Sequence, residues 1–548
     1  MFERWWHKVE WLFGPGRIGA KGHLNARWLF LRVLGLIYFS AFYSLVFQIR
    51  GLIGPQGILP ASEYFAVVSR YLGAGKFWYA PTLLWLTWSD KALMVLCWVG
   101  LAASILVIVN FWPRATLLIC FVAYLSFIAA AQDFSSYQSD GMLLEAGFIA
   151  IFFAPGGFRP GRGSAAPPSR VSLFLLRWEW FRIYFESGVA KLASGDPQWR
   201  HLAAMDNYYQ NGPLPTWIGW YVQQLPHWVH AGTAGATLLL ELVIVLGLFL
   251  PRRYKIICFW IVTPWEAAII LTANYTFLNY LVLALGVLLL DDLYLEPIRE
   301  RFRRKVPYAE PRPGSVEVTG SGAERQTAIP SPRSGLGRGE LLLAGFLLTW
   351  IFYSTTTQLI AMVAPRIPLP AAPVRALDPF RIANQYGLFA VMTMGRYEIE
   401  FQGSDDGGLT WKTYPFRYKP QDVREAPGIY APYQPRFDWN LWFASLGGWR
   451  DYTFVPLTEE RLLRGSPPVM MLFKADPFAG QPPPQIVRSV IWQYWFTDLA
   501  TKRRTGDWWR RQMLGPYAPA LERNTAGRIV AVDLPDIAPE TPPAELLK

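Results

Sequence analysis

Long apolar runs alternate with short polar breaks from Trp28 to Leu290, and one further run covers Leu341 to Val363. A helix that crosses a bilayer needs about 20 mostly apolar residues. Windows of this kind fall at Trp28 to Phe47, Lys91 to Val109, Ala115 to Ala131, Gly141 to Ala154, Val171 to Leu192, Ala234 to Leu250, Tyr254 to Leu271, Tyr275 to Leu290 and Leu341 to Val363. The pattern predicts an α-helical multi-pass membrane bundle of about nine spans. The fourth is short, and the seventh and eighth are separated only by the Asn274 to Asn279 turn. No apolar h-region with a small-residue cleavage site precedes Trp28, so the first run reads as an uncleaved signal-anchor.

Beyond the last run the period changes. Tyr397, Ile399 and Phe401 alternate with Glu398, Glu400 and Gln402, the period-2 pattern of a half-buried strand. Ser404-Asp405-Asp406-Gly407-Gly408-Leu409-Thr410-Trp411 follows and resembles the Asp-box hairpin, in which Asp and Gly supply the turn and the Trp packs beneath it. Further strands are predicted at Val469 to Phe473 and Arg488 to Phe496. The chain thus divides into a transmembrane bundle (1–290), a basic Pro/Gly-rich linker (291–339), a last transmembrane helix (340–364), a C-terminal β-rich, sandwich-like extracytoplasmic domain (376–515) and an irregular proline-rich tail (516–548).

Composition decides between partners. Of the 548 residues 52% are apolar, 16% aromatic and 17% charged, which excludes a disordered chain. The net charge of +12 raises the question of nucleic acid, so its placement matters. Up to Ala364 there are 30 Lys/Arg against 21 Asp/Glu, and beyond it 22 against 19. The surplus therefore lies in the apolar part. With the N-terminus inside, the inner segments hold 21 Lys/Arg, among them Arg114, Arg159, Arg162, Arg252, Arg253 and Arg301. The outer loops hold Arg50, Arg70, Lys76, Arg200 and Lys191 at a boundary. Since cytoplasmic loops concentrate Lys and Arg, this asymmetry places the C-terminal domain outside or in a lumen. The expected partner is a lipid bilayer and not nucleic acid.

Candidate chemistry sits inside the apolar runs, where a charge costs at least about 2.5–3.5 kcal/mol on insertion scales and so faces the bundle interior. Arg177, Glu179, Arg182, Glu186 and Lys191 lie on the fifth run, Asp140 and Glu145 at the start of the fourth, Glu241 and Glu266 on the sixth and seventh. At about 100° per residue Glu179, Arg182 and Glu186 share one stripe. One buried network holding all these groups is expected. It serves either to fix helix register or to line a cavity open to the outer side, where Lys191 or Glu186 handles protons. His227 and His230 stand H-x-x-H beside Trp228, with His201 upstream, but no third ligand has metal spacing, and Trp217, Trp220 and Tyr221 point to an interfacial aromatic belt. Cys97, Cys120 and Cys258 each lie in an apolar run and fit neither a loop disulfide nor a CxxC site. No phosphate-binding or dinucleotide fingerprint stands in a fitting context, and no cofactor or metal is expected.

Two stretches resemble a known family. One is Arg381-Ile382-Ala383-Asn384-Gln385-Tyr386-Gly387-Leu388-Phe389, continuing to Ala431-Pro432-Tyr433-Gln434-Pro435-Arg436-Phe437-Asp438-Trp439-Asn440-Leu441-Trp442-Phe443. The other is Tyr184-Phe185-Glu186-Ser187-Gly188-Val189-Ala190-Lys191-Leu192, with Ser194-Gly195-Asp196-Pro197 and Pro213-Leu214-Pro215-Thr216-Trp217 beyond it. Together, from Arg27 to about Tyr517, they are similar to the lipase maturation factors, multi-pass membrane proteins with a lumenal domain. Tyr433 and Phe437 stand where the family favours His and Leu. The resemblance implies a role in folding and assembly of secreted lipases, in eukaryotes in the endoplasmic reticulum. A bacterial member would lie in the inner membrane. More faintly, the Y-F-x-x-G-V-x-K-L segment is similar to one in vitamin K-dependent carboxylases, in which the matching lysine is the catalytic base. That likeness would give Lys191 the role here, with the carboxylase histidine replaced near Asp140.

Two functions follow as expectations. The first is a membrane-bound maturation factor whose outer domain engages a secreted lipase or related client through Gln434, Arg436, Asp438, Trp439 and Trp442, a polar-aromatic cluster of the type found at binding hot spots. The same cluster also suits a buried core with an Arg–Asp pair. The alternative is a membrane-embedded enzyme acting on a lipid, quinone or peptide, with Lys191, Glu186, Arg182, Asp140 and Glu145 as candidate catalytic residues. A transporter ranks lower, because no inverted repeat stands out.

Overall fold

The computed structural model describes residues 2–14, 21–303 and 337–532. Each apolar window coincides with a helix: α1 Leu24–Ile53, α2 Asp90–Ile108, α3 Pro113–Ile128, α4 Gln138–Phe153, α5 Arg170–Ala193, α6 His227–Leu242, α7 Arg252–Thr272, α8 Leu278–Gly286 and α9 Arg338–Val363. Five of these, α1, α2, α6 with the 3-10 turn after it, α7 and α9, are long and apolar enough to cross a membrane. The helices α3 and α8 are shorter and apolar. Local signals set the boundaries. Ser89 Oγ accepts from Ala92 N at the start of α2, Pro113 opens α3, and Ser169 Oγ caps α5 through Ser172 N.

Small residues let the first helices approach closely, as in other membrane bundles. A Cβ on Gly100 of α2 would overlap the ring of Phe42 on α1, and one on Gly147 of α4 would overlap the Tyr38 hydroxyl. Around these contacts Tyr38, Phe42 and Tyr124 pack edge to face, with centroids 5.7 Å apart for Phe42 and Tyr124 and 6.0 Å for Tyr38 and Tyr124.

The loops collect at two opposite ends. At one end Asp292 accepts from the Leu24 and Asn25 backbone amides, both at 2.8 Å, and closes the start of α1. The Arg27 guanidinium there donates to Ala166, Arg162 and Gly163 carbonyls, Arg252 pairs with Asp291, and Arg114 donates to Ala154 O. These are the arginine-rich segments. Within the predicted linker, Asp292–Arg303 is helical and bound to α1, while 304–336 lies outside the described residues.

At the other end sits the C-terminal region. Its sheet has the order β2-β1-β3-β5-β6, with β4 also on β3, from strands β1 Arg396–Ser404, β2 Lys412–Thr413, β3 Ile486–Phe496, β4 Trp509–Pro516, β5 Ala520–Arg523 and β6 Ile529–Val532. The pairing is antiparallel, with Ile399 opposite Ile491 and Glu400 opposite Val490. This is a single six-stranded sheet among the described residues, not the two stacked sheets of a sandwich. One face packs with the helices α10 Arg436–Ala444 and α11 Phe454–Leu463. From β3 and β4, Val490, Trp492, Tyr494, Phe496 and Met513 cluster with Trp199, Met205 and Trp220 of the segment between α5 and α6.

Three expectations for this region change. The polar side of β1 is buried, because Glu398 meets Arg396 and Lys419 while Glu400 meets Arg511 at 2.8 Å and Tyr494 at 3.0 Å. Val469 to Phe473 is no strand: Pro467 and Pro468 start a helical turn, Pro467–Met470, and Val469 fills the core. The sheet also runs beyond residue 515 into β5 and β6, so that part of the proline-rich tail is regular, and 533–548 lies outside the described residues. The Asp-box stretch does form the β1–β2 hairpin, with Gly407 and Gly408 at φ 73° and 90° and Thr410 donating to Asp406. Arg488 stacks on Trp411 at 3.8 Å.

Since the Gly100–Phe42 contact has no space for a methyl group, Gly100→Ala should destabilise the protein by about 1–3 kcal/mol through overpacking. Thermal unfolding of the purified protein, compared with Gly232→Ala, where nothing lies near the added atom, checks this.

Candidate functional site

The stripe on α5 comes from spacing of three and four residues, and Arg182 and Glu186 find their partners on other elements. Glu179, Arg182 and Glu186 are fully buried. Arg182 pairs with Glu145 of α4 and donates to Asn384 O at 2.6 Å, whereas Glu186 is 3.9 Å away. Asn384 N donates to Glu145 at 2.9 Å, Tyr386 OH to Glu145 at 3.0 Å, and Tyr386 N to Glu186 at 2.7 Å. Farther along, Leu388 N donates to Ser187 Oγ, Lys191 Nζ to Leu388 O, Trp199 Nε1 to Phe389 O and Met392 N to Asp196. Residues 384–392 form no helix or strand, so their amides and carbonyls need outside partners. The polar groups of α4, α5 and the loop after α5 supply them.

A second contact joins the same two regions. Arg436, the first residue of α10, reaches the bundle and holds Asp140 with both terminal nitrogens, at 2.7 and 2.8 Å. The guanidinium also donates to Phe134 O at 2.7 Å, Tyr124 OH at 2.9 Å and Gln434 Oε1 at 3.0 Å, and Tyr124 OH donates to Asp140 at 2.6 Å. Arg436 and Asp140 are both wholly inaccessible to solvent. The rest of the polar-aromatic cluster is buried as well. Trp439 stands edge-on to Tyr137 at 5.5 Å, Trp442 Nε1 donates to Asn211 O at 3.0 Å, and Gln434 O accepts from Gln48 of α1 at 2.9 Å. Burial pushes the Asp438 carboxyl up to about 7, against the pull of Lys419 and nearby backbone amides.

Three residues that the sequence reading passed over belong to this junction. Asn274, between α7 and α8, accepts from the Tyr430 and Ala431 amides at 2.7 and 3.0 Å and donates to Gly428 O at 2.9 Å. Gln48 binds the 433–437 turn, and Arg396 donates to the Gln210, Gly212 and Pro213 carbonyls. The available signal was an amide or a cation at the edge of an apolar run, where an uncapped polar group is costly.

The expected single network is therefore divided. Asp140 belongs with Arg436, and Glu145, Arg182 and Glu186 belong with 384–386. Lys191 is apart from both, donating to Glu241 Oε1 at 2.8 Å beside a largely apolar cavity of about 290 Å³. Glu266 also borders that cavity, with Tyr184 and Asn279 on its two oxygens. Glu186 does not line it. His227 and His230 both face Asp206, at 3.0 and 3.3 Å, and among the described residues no three metal-binding side chains converge. Trp217, Tyr221 and Trp228 are exposed nearby, while Trp220 is core. The cysteines are free and buried.

Comparison with known proteins covers both regions. The family model described as the lipase maturation factor transmembrane domain matches residues 25–297, and that for the lipase maturation factor C-terminal domain matches residues 382–519. Lipase maturation factor 1 of Bos taurus is 30% identical over 524 residues, covering 93% of this chain and 91% of that protein. Lipase maturation factor 2 is 32% identical in Gallus gallus and 31% in Homo sapiens, in both cases over 90% of this chain and 81% and 82% of the relative. No solved structure matches the chain.

Two outcomes follow from the geometry. Arg436→Met leaves the Asp140 carboxylate buried without its counter-charge and should cost about 3–5 kcal/mol, with the double variant Arg436→Met/Asp140→Asn recovering part of the loss in thermal unfolding. Asp438 holds its proton more tightly when folded, between its ordinary value near 3.8 and about 7. Its contribution to stability should thus fall as pH rises through that window and level off above it. Melting temperatures of wild type and Asp438→Asn between those limits check the sign: the variant should lack this part of the slope.

Proposed function

This chain belongs to the lipase maturation factor family, and from that membership we propose that it is a membrane-bound factor assisting the folding or assembly of secreted lipases or related exported clients. The observation that carries the reading is the extent of the match, which takes in the bundle and the C-terminal region together and leaves neither as an unrelated addition.

In this reading all nine helices, α1 to α9, cross the membrane. The N-terminus is cytoplasmic, with the arginine-rich segments at 159–170, 252–255 and 299–303 on the same side, and the sheet region is outside. The membrane is the inner membrane of a bacterium, or the endoplasmic reticulum in a eukaryotic cell. The client is met by the outer region of 376–515 and its sheet extension. Arg436, Gln434, Asp438, Trp439 and Trp442 are buried and act indirectly, Arg436 by holding Asp140, while Glu145, Arg182 and Glu186 hold the 384–386 segment. What supports this division is burial: a residue without exposed surface reaches a client only if the two regions part.

Deleting the gene from its host tests the proposal. The activity per unit mass of secreted lipases should drop several-fold at unchanged transcript level, and the full chain supplied on a plasmid should restore it. Secreted lipases of unchanged specific activity in the deletion strain would overturn the reading.

A further inference from the structure

On α1 the side chains that point away from the bundle recur at helical spacing. Trp28, Leu36, Tyr43 and Phe47 are exposed, and Arg50, one turn on, is half-buried. Trp28 and Arg50 are 22 residues apart, about 33 Å along a helix, close to the roughly 30 Å of a hydrocarbon core. When α1 spans, Leu36 therefore meets acyl chains, and Tyr43, Phe47 and Arg50 reach the head-group layer on the side of the sheet region. There the C-terminal region lies beside the helix: Ser40 Oγ donates to Pro432 O at 2.8 Å, and Ser466 Oγ to Gln56 O at 2.7 Å.

Between the two lies a cavity of about 320 Å³, walled by Tyr43 and Phe47 of α1 and by Arg417, Tyr418, Tyr433 and Asp438. Tyr43 stands edge-on to Tyr433 at 6.3 Å, and Tyr433 lies 5.3 Å from Tyr418, so much of the wall is aromatic. Arg417 is exposed and donates through Nε to Met471 O at 3.2 Å, while Arg50 reaches the sulfur of the same methionine at 3.6 Å. Among the described residues neither arginine has a carboxylate partner, and the terminal nitrogens of Arg417 have no hydrogen bond. The acid on this wall, Asp438, is buried, and burial pushes it up to about 7, so it offsets only part of the positive charge. A free guanidinium takes a phosphate through paired N–H groups, and tyrosine rings suit the glycerol and ester layer beneath it. The volume is at the low end for ligand pockets and holds a head group, not a whole lipid.

We propose that this cavity holds the phosphoglycerol head of an anionic phospholipid from the leaflet on the sheet-region side, its phosphate on Arg417 with Arg50 adding a second positive charge, and its chains running along α1 past Tyr43 and Leu36. The lipid fastens the C-terminal region to the bilayer beside α1. The site is a binding site and calls for no covalent step.

The test uses the full-length protein in phosphatidylcholine nanodiscs with a minor share of phosphatidylglycerol bearing a diazirine on its head group, and labelled peptides are mapped by mass spectrometry. Label should concentrate in the peptides holding Tyr418 and Tyr433, and excess unlabelled phosphatidylglycerol should remove it. Arg417→Gln and Arg50→Gln should each lower it about fivefold, the worth of one basic side chain against an anionic head. Arg70→Gln, exposed on the helix Ala61–Leu72 at the same side of the bundle, should leave it unchanged. Label spread over the lipid-facing surface, undiminished by competitor, or lowered as much by Arg70→Gln overturns the site. A phosphatidylcholine probe with the same diazirine that labels the two peptides equally overturns the anionic head, and displacement of the label by inorganic phosphate overturns the lipid in favour of a free anion. The probe and competitor results with the wild-type protein decide the matter even if an arginine variant fails to fold.

Discussion

A charge placed in an apolar layer must find a partner, and in this protein the partners come from far along the chain. Glu145 and Glu186 accept hydrogen bonds from the backbone of 384 and 386, and Asp140 from the side chain of Arg436. Each side solves the other's difficulty. The irregular 384–392 segment brings amides and carbonyls with no secondary structure to satisfy them, and the helices bring carboxylates and cations with no water. Neither arrangement stands well alone, since removal of one partner leaves the other buried and unpaired. The bundle and the sheet region are thus coupled by the cost of separation as much as by packing.

Order of synthesis adds a constraint. The carboxylates of α4 and α5 are synthesised long before 384–392 and Arg436 exist. Until then Arg182 can pair with Glu145, and Lys191 with Glu241 on α6, but Glu186 and Asp140 lack their final partners. The bundle acquires its last polar contacts when the C-terminal region docks. A helical bundle with that property depends on the C-terminal region for completion, so shortening the chain after α9 exposes buried charge and is no clean removal of one function.

Much of the helical half could be read in advance because its signal is long and one-dimensional. Each apolar window lies on a helix, and the loops rich in Lys and Arg gather at one end. The sheet region was harder. Alternation along β1 identifies a half-buried strand, but it does not say what covers each face, and Arg396, Lys419 and Arg511 meet Glu398 and Glu400 inside. In Val469 to Phe473 an apolar run outweighed the two prolines before it, whose fixed φ suits the start of a helical turn. The cluster around Arg436 was visible as a dense motif, but density is equally consistent with an interface to a client and with an interface to the protein's own membrane half. Deciding between them required pairing Arg436 with Asp140, almost three hundred residues earlier, which no local pattern encodes.

The same pairing logic separates structure from possible ligand chemistry among the buried charges. At the junction the network around Arg436 takes up Asp140 by two bonds and a tyrosine hydroxyl, and the Glu145 oxygens are likewise taken by Arg182, Asn384 and Tyr386. Such saturated groups have little to offer a substrate without first breaking the docking contact. The Lys191 end differs because it borders a largely apolar cavity, with Glu241 bonded to Lys191 through one oxygen. There Tyr184 and Asn279 are committed to Glu266, and Lys191 to Glu241 and Leu388, so these donors too are already engaged.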